Sequence, residues 1–313
     1  MSKNSHATAF MLLSTFSLSF TGLIAKYLSQ ILSVEELSFI RFAAPALLLF
    51  AVLSVKTIRT FSWLTFKPLL IRGFCIAACQ VCFLLSLQTL TLVESIVLFS
   101  TGPLFIPVLE KLIFGTRIPL FTVVALLMTF GGVILMAGNA NQIEIRVELL
   151  IGVCAGIFNS GSQLSLYRAS KGQMTPIELN AWTFLIASII LSPLLIGSSV
   201  MGNVDFQWLE SRHVWGSIAF GVLVMSCLII NTQVFRAKAY AASNSSSQLA
   251  PLIYTNLMFT GLWQYLFFDD QFSRTQVLGI LLIISASLFN SFWPKLARRR
   301  LRKQKLKLRS GSI

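Results

Sequence analysis

Uncharged amides set in otherwise apolar stretches are the side chains of this sequence best placed to do chemistry. Gln80 stands midway along one such stretch, and Asn159 and Gln163 lie four apart in another, so on a helix they share a face. Asn231 and Gln233 belong to the charge-free run Val214–Phe235, and Gln248, Thr255 and Asn256 surround Pro251. An amide offers two donors and an acceptor. Several of them on one cavity would hold a polar or zwitterionic organic solute without reacting with it. Taken singly, the same amides can instead bond neighbouring helices to one another. Tyr254 and Trp182 could stack on a solute, whereas Trp263 and Tyr265 lie toward a helix end and read as interfacial anchors.

Charge within the apolar stretches is scarce. Arg41 falls about six residues into its stretch, roughly 9 Å by helical rise. It can pair with an acid such as Glu94, snorkel to the membrane edge, or serve as a gate or counter-charge for an anionic solute group. No lone carboxylate sits deep in a stretch, because Glu94 and Glu110 are near opposite ends of theirs. Proton antiport therefore lacks an obvious titratable acid, and uniport or exchange suits the sequence at least as well. Pro103, Pro107 and Pro251 fall within predicted helices, where proline removes a backbone hydrogen bond and kinks the chain.

Catalysis and metal binding find little support. Cys75, Cys79 and Cys82 have the spacing of a cluster-binding motif, but on a helix they form one apolar stripe and read as packing residues. The sequence shows no Walker loop, no Ser/His/Asp pattern and no metal box, and His6 and His213 are too few for either argument. No catalytic residue, no metal and no cofactor is expected.

The elements that must position the amides follow from composition. Hydrophobic residues make up 55% of the 313, charged residues only 12%, and mean hydropathy is +0.77. Ala43–Val55 and Pro119–Ile143 are charge-free, like Val214–Phe235, and runs of this length can cross a hydrocarbon core. Backbone groups in lipid must bond internally, so the expected fold class is an all-α polytopic membrane protein. Spans are predicted at about 7–27, 36–55, 69–89, 93–114, 119–138, 148–168, 176–197, 213–235, 245–268 and 275–294. The first is read as a retained helix rather than a cleaved signal.

Loop charge orients these ten spans. With the N-terminus inside, the outer segments hold only Arg146, Arg212 and Arg274. The inner ones hold the other Lys and Arg, apart from Lys26 and Arg41 within helices. That bias puts both termini in the cytoplasm. A net charge of +14 could suggest a nucleic-acid binder, but nine of the 25 cations lie in 295–313, after the last span. That basic tail is read as a contact for anionic lipid, and nucleic acid is not an expected partner. Gly152-x3-Gly156 permits close helix contact and is read as packing within one chain, with a homodimer left open.

Five spans plus five suggest a duplication, and because five is odd the second copy would insert upside down. Ser95–Pro103 and Ser243–Pro251 are weakly alike, each followed by a polar turn and a Gly-containing helix. Arg41-Phe42 and the stretch SIVLFSTGPLFIPVLEKLIFGTRIPLFTVVALLMTFGGVILM, Ser95–Met136, resemble the EamA type of the drug/metabolite transporter superfamily. One departure is Thr116, where that family commonly carries Glu. The resemblance implies two inverted five-helix repeats, 1–140 and 147–294, moving by alternating access. It also implies a central cavity lined by the first, third, fourth, sixth, eighth and ninth spans, and a bacterial inner membrane as the setting. The expected function is thus secondary, non-ATP transport of small organic metabolites. The expected solute-binding residues are Gln80, Asn159, Gln163, Asn231, Gln233, Tyr254 and Asn256, with Arg41 and Glu94 as charge partners or gate. An exporter of hydrophobic drugs or lipids is the alternative. A membrane-embedded lipid-modifying enzyme is less well supported, for want of clustered catalytic side chains.

Overall fold

The protein is described from a computed structural model, over residues 3–53, 63–114, 120–139, 142–143, 147–170, 172, 174–200, 212–242, 252–253, 255–268, 273–275, 277–286, 288–289 and 292–293. Eleven helices carry the argument. They are α1 (Lys3–Leu28), α2 (Val34–Val52), α3 (Trp63–Thr89), α4 (Leu92–Phe99), α5 (Gly102–Phe114), α6 (Leu120–Ala137), α7 (Val147–Ala169), α8 (Pro176–Val200), α9 (Arg212–Ala242), α10 (Thr255–Phe267) and α11 (Val277–Ala286). The described residues depart from the all-helical expectation at one point, a two-residue hairpin pairing Gly138–Asn139 with Gln142–Ile143. Among the described residues, six stretches are long and apolar enough to cross a membrane: His6–Leu28, Phe66–Thr89, Leu92–Leu109, Val147–Ala169, Pro176–Val200 and Trp215–Ala242. Leu120–Leu135 and Val277–Ala286 are shorter apolar helices.

Three helices begin the same way. Ser33, Thr91 and Thr175 each accept a bond from the backbone three residues on, at Glu36, Glu94 and Glu178, all at 3.2 Å. Each glutamate reaches back to the cap's own N–H, at 2.9, 3.0 and 3.1 Å. These are capping boxes, which satisfy two otherwise orphaned donors at the starts of α2, α4 and α8. They also keep three buried carboxylates at helix ends. Inside the helices, hydroxyls bond back to the turn before, as Thr183 does to Leu179 and Ser226 to Val222.

The predicted helix 93–114 is broken. α4 ends at Ser100, and α5 starts at Gly102, with Pro103 next in its first turn, where a missing N–H costs nothing. The carbonyl of Gly102 accepts from Ser160 of α7. Gly156, one turn earlier on α7, leaves room for the break. A Cβ there would meet the carbonyl oxygen of Leu98 at 2.9 Å and Thr101 Oγ1 at 2.5 Å. Gly152 likewise faces Leu98, so this glycine pair packs within the chain as expected.

The described residues fall into two compact units, one within 1–106 and 146–271, the other within 107–145 and 272–313. In the first, α1 packs on α9, α3 on α7, α2 on α8, and α4 on α10. α4 also meets α7, α1 meets α10, α2 meets α9, and α3 meets α8. In the second, α6 meets α11, where a Cβ on Gly132 would strike the carbonyl oxygen of Gly279 at 2.8 Å. Count α4–α5 as one helix and number each half from its own start. The first helix of either half then packs on the third and fourth of the other. The second packs on the second and third, the fourth on the fourth, and the fifth on the fifth. The pairing is unchanged when the halves are exchanged.

On α6, Leu120, Leu127 and Ile134 are 79%, 68% and 57% exposed at seven-residue spacing, a stripe suited to lipid rather than water.

Candidate functional site

A cavity opens inside the first unit. α1 contributes Thr21 and Gly22, α2 contributes Arg41 and Phe42, and α3 contributes Cys79, Gln80 and Phe83. α4 supplies Ile96 and Phe99, and α7 supplies Asn159, Ser162 and Gln163. α9 adds Thr232, Gln233 and Arg236, and α10 adds Asn256. The cavity holds about 740 Å³ of atom-free space, counted out into its mouth.

Of the residues singled out from sequence, Arg41, Gln80, Asn159, Gln163, Gln233 and Asn256 line this one cavity. Gln163 donates to Asn159 Oδ1 at 3.1 Å and accepts from the Tyr240 hydroxyl at 3.1 Å, a chain that fixes which way its amide points. Asn159 is held against the α4–α5 break, since a Cβ on Gly102 would lie 3.0 Å from its Nδ2. Polar atoms remain unsatisfied around the cavity. Gln80 Nε2, Thr232 Oγ1 and Asn256 Oδ1 are buried without a hydrogen-bond partner, and so are Arg41 Nε and Nη1 and Arg236 Nε and Nη2. Buried polar groups in folded proteins are nearly always paired, so these seven atoms, counted among the described residues, leave unmet hydrogen-bonding capacity on several sides of the cavity.

Other residues fall elsewhere. Asn231 donates to Ser17 Oγ at 2.6 Å and joins α9 to α1, the bundle-bonding role. Glu94 holds the capping box of α4, its carboxylate accepting from the Thr91 N–H and hydroxyl. Trp263 packs against α1. Its indole donates to Ser19 Oγ at 3.1 Å and packs beside Phe20 on α1. Trp182 is half-buried against Phe50, away from the cavity. Tyr254, Gln248 and Pro251 lie outside the described residues.

With this geometry in view, the comparisons with known proteins are decisive on family. The EamA-like transporter family matches residues 6–138 and again residues 147–292. The chain belongs to this family. It is similar to the pseudopaline exporter CntI of Pseudomonas aeruginosa, 22% identical to that of strain UCBPP-PA14 and 23% to that of strain PAO1. Each match runs over 276 residues, 88% of this chain and 92% of the relative. A protein of known crystal structure shares the fold, with a TM-score of 0.52 at 16% identity over 95% of this chain and 98% of its own. As an EamA-like transporter, the protein is a multi-pass membrane protein of helices, carrying the family domain twice.

This EamA-like transporter also uses residues that sequence reasoning assigned to loops. Arg236 follows the charge-free run directly and reads as its cytoplasmic end. α9 continues to Ala242, and Arg236 is only 2% exposed. Arg72, likewise assigned to a loop flank, lies within α3 and is fully buried. Its guanidinium donates to Thr183 Oγ1 at 2.9 Å, Asn180 Oδ1 at 2.8 Å and Gln233 Oε1 at 3.3 Å. A cation is too costly facing lipid but not facing a polar bundle interior, and a hydropathy boundary does not separate the two cases. The signal was present as spacing. Thr232, Gln233, Arg236 and Tyr240 recur at helical intervals and continue one polar face past Phe235.

Proposed function

We propose that this protein is a secondary transporter that exports small polar organic metabolites across the inner membrane by alternating access, with the cavity as its solute site. The observation that carries this reading is the cavity itself. It is contributed by α1, α2, α3 and α4 of one half and α7, α9 and α10 of the other, with buried polar atoms left unpaired around it. A site made by both halves changes shape when they move against each other. Packing that is unchanged on exchanging the halves supports reading them as repeats, about 1–140 and 147–294. An odd number of crossings in each would make them inverted. Export as the direction rests on the similarity to a protein named as an exporter. On this reading both termini are cytoplasmic, and the basic segment 295–313 meets anionic lipid. Cargo of purely hydrophobic drugs or lipids fits less well, because it would leave the buried polar atoms unpaired.

The test is solute binding followed by transport without ATP. A solute at 100 times its dissociation constant should stabilise the native protein by about 2.7 kcal/mol, readable as a rise in unfolding temperature in detergent. That solute should then exchange across liposomes containing the protein when only a solute gradient is supplied. Stabilisation solely by hydrophobic drugs or lipids, with no counterflow of any polar solute, would refute the reading.

A further inference from the structure

Among the described residues, three arginines are buried in the first unit: Arg72 fully, Arg236 at 2% exposure and Arg41 at 6%. Their surroundings differ. Arg72 has three neutral side-chain acceptors on α8 and α9. Arg41 and Arg236 each keep two buried guanidinium nitrogens without a partner, and both line the cavity. A buried guanidinium without acceptors is among the costliest arrangements in a protein. Here two of them face one space.

Among the described residues, no Asp or Glu lines that space. The buried carboxylates Glu36, Glu94 and Glu178 are held at helix starts by their capping boxes. The formal charge of the cavity lining is therefore positive. In Arg236 the free nitrogens are Nε and Nη2, the edge of the guanidinium fork that takes an oxyanion through two parallel bonds. Around these cations, Gln80 Nε2 remains an unused donor and Asn256 Oδ1 an unused acceptor, while Phe42, Phe83 and Phe99 give an apolar wall.

We infer that the cargo is an organic anion carrying at least two acid groups, carboxylate or phosphate, one held by Arg41 and another by Arg236. The amides read its uncharged polar groups, and the aromatic wall covers its carbon skeleton. An anion supplies acceptors to the unpaired guanidinium nitrogens and also offsets the positive charge of the lining, which a neutral solute does not. The inference rests on the reading of the cavity as a solute site.

The experiment uses the full chain, purified in low-salt buffer free of phosphate and sulfate, and matched probes: succinate with succinamide, glutamate with glutamine, and uridine diphosphate with uridine. Unfolding temperature and binding are measured for each, followed by counterflow in liposomes. The first two pairs report a carboxylate site and the third a phosphate site. At least one acid should bind about tenfold or more tightly than its neutral partner, the scale of one charge-assisted bond. Arg41→Gln and Arg236→Gln should each remove about tenfold of that affinity. Arg41→Lys and Arg236→Lys, which keep the charge but lose the fork, should retain part of it. The glutamine variants should unfold no earlier than the parent without solute, since each removes an unpaired buried charge. If a glutamine variant does not fold, the lysine variant decides. Neutral partners binding as well as the acids, unaffected by either arginine, would overturn the anion inference and leave the transport reading standing. No binding or counterflow by any probe, from folded protein, would overturn both.

Discussion

A buried guanidinium is stable where its donors find acceptors, and Arg72 meets that condition through Thr183, Asn180 and Gln233. Arg72→Ala would leave the carbonyl oxygens of Asn180 and Gln233 buried without this donor. An unsatisfied buried group costs about 1–3 kcal/mol, so the variant should be destabilised by at least that much, with a clearly lowered unfolding temperature in detergent. An unchanged temperature would mean that these bonds do not form in the membrane-embedded protein. Most of the cavity amides were legible from sequence because an uncharged amide in an apolar run has few places to go but the bundle interior. Arg72 and Arg236 were not, because sequence position alone cannot distinguish a cation facing a loop from one facing a polar cavity. Asn231 shows the limit from the other side. It too is an uncharged amide, on the same helix as Gln233, yet its spacing points it to Ser17 of α1.

At the scale of elements, most spans were legible from hydropathy, while breaks within spans were not. The α4–α5 break escapes a hydropathy window because Ser100, Thr101 and Gly102 are too few to lower the average. What holds the break is tertiary: Ser160 bonds the carbonyl of Gly102, and the bare backbone of Gly156 admits Leu98 and Thr101. Gly156→Ala should therefore destabilise the protein by about 1–3 kcal/mol, the range for overpacking a filled contact. The backbone oxygen of Leu98 cannot step aside as a flexible side-chain tip could. Gly197→Ala on α8 is the control, since a Cβ there meets nothing within 4 Å, and higher helix propensity should leave it as stable as the parent or slightly more so. Equal unfolding temperatures for the two variants would show that the close approach of α7 to the break is not what limits stability.

At the scale of the whole molecule, the symmetry of packing makes a prediction about crossings that does not depend on locating each span. The internal similarity was faint in the sequence, and its second arm, Ser243–Pro251, lies outside the described residues. The duplication is far plainer in the pairing of helices, because packing partners outlast the side chains that make them. Repeats of five crossings must be antiparallel, so the join between them must face the side opposite both termini. Alkaline phosphatase fused after residue 140 should be active outside the cell, whereas fusions after residues 57, 117, 172 and 310 should be inactive. Green fluorescent protein at the same five sites should give the reverse pattern. Moving Arg72 and Arg236 out of the loop count leaves the charge bias intact, since the outer segments still hold only Arg146, Arg212 and Arg274. The decisive sites are 140 and 310. If they report the same side, the second half crosses an even number of times, the repeats cannot be inverted copies, and alternating access by exchange of two equivalent halves loses its structural basis.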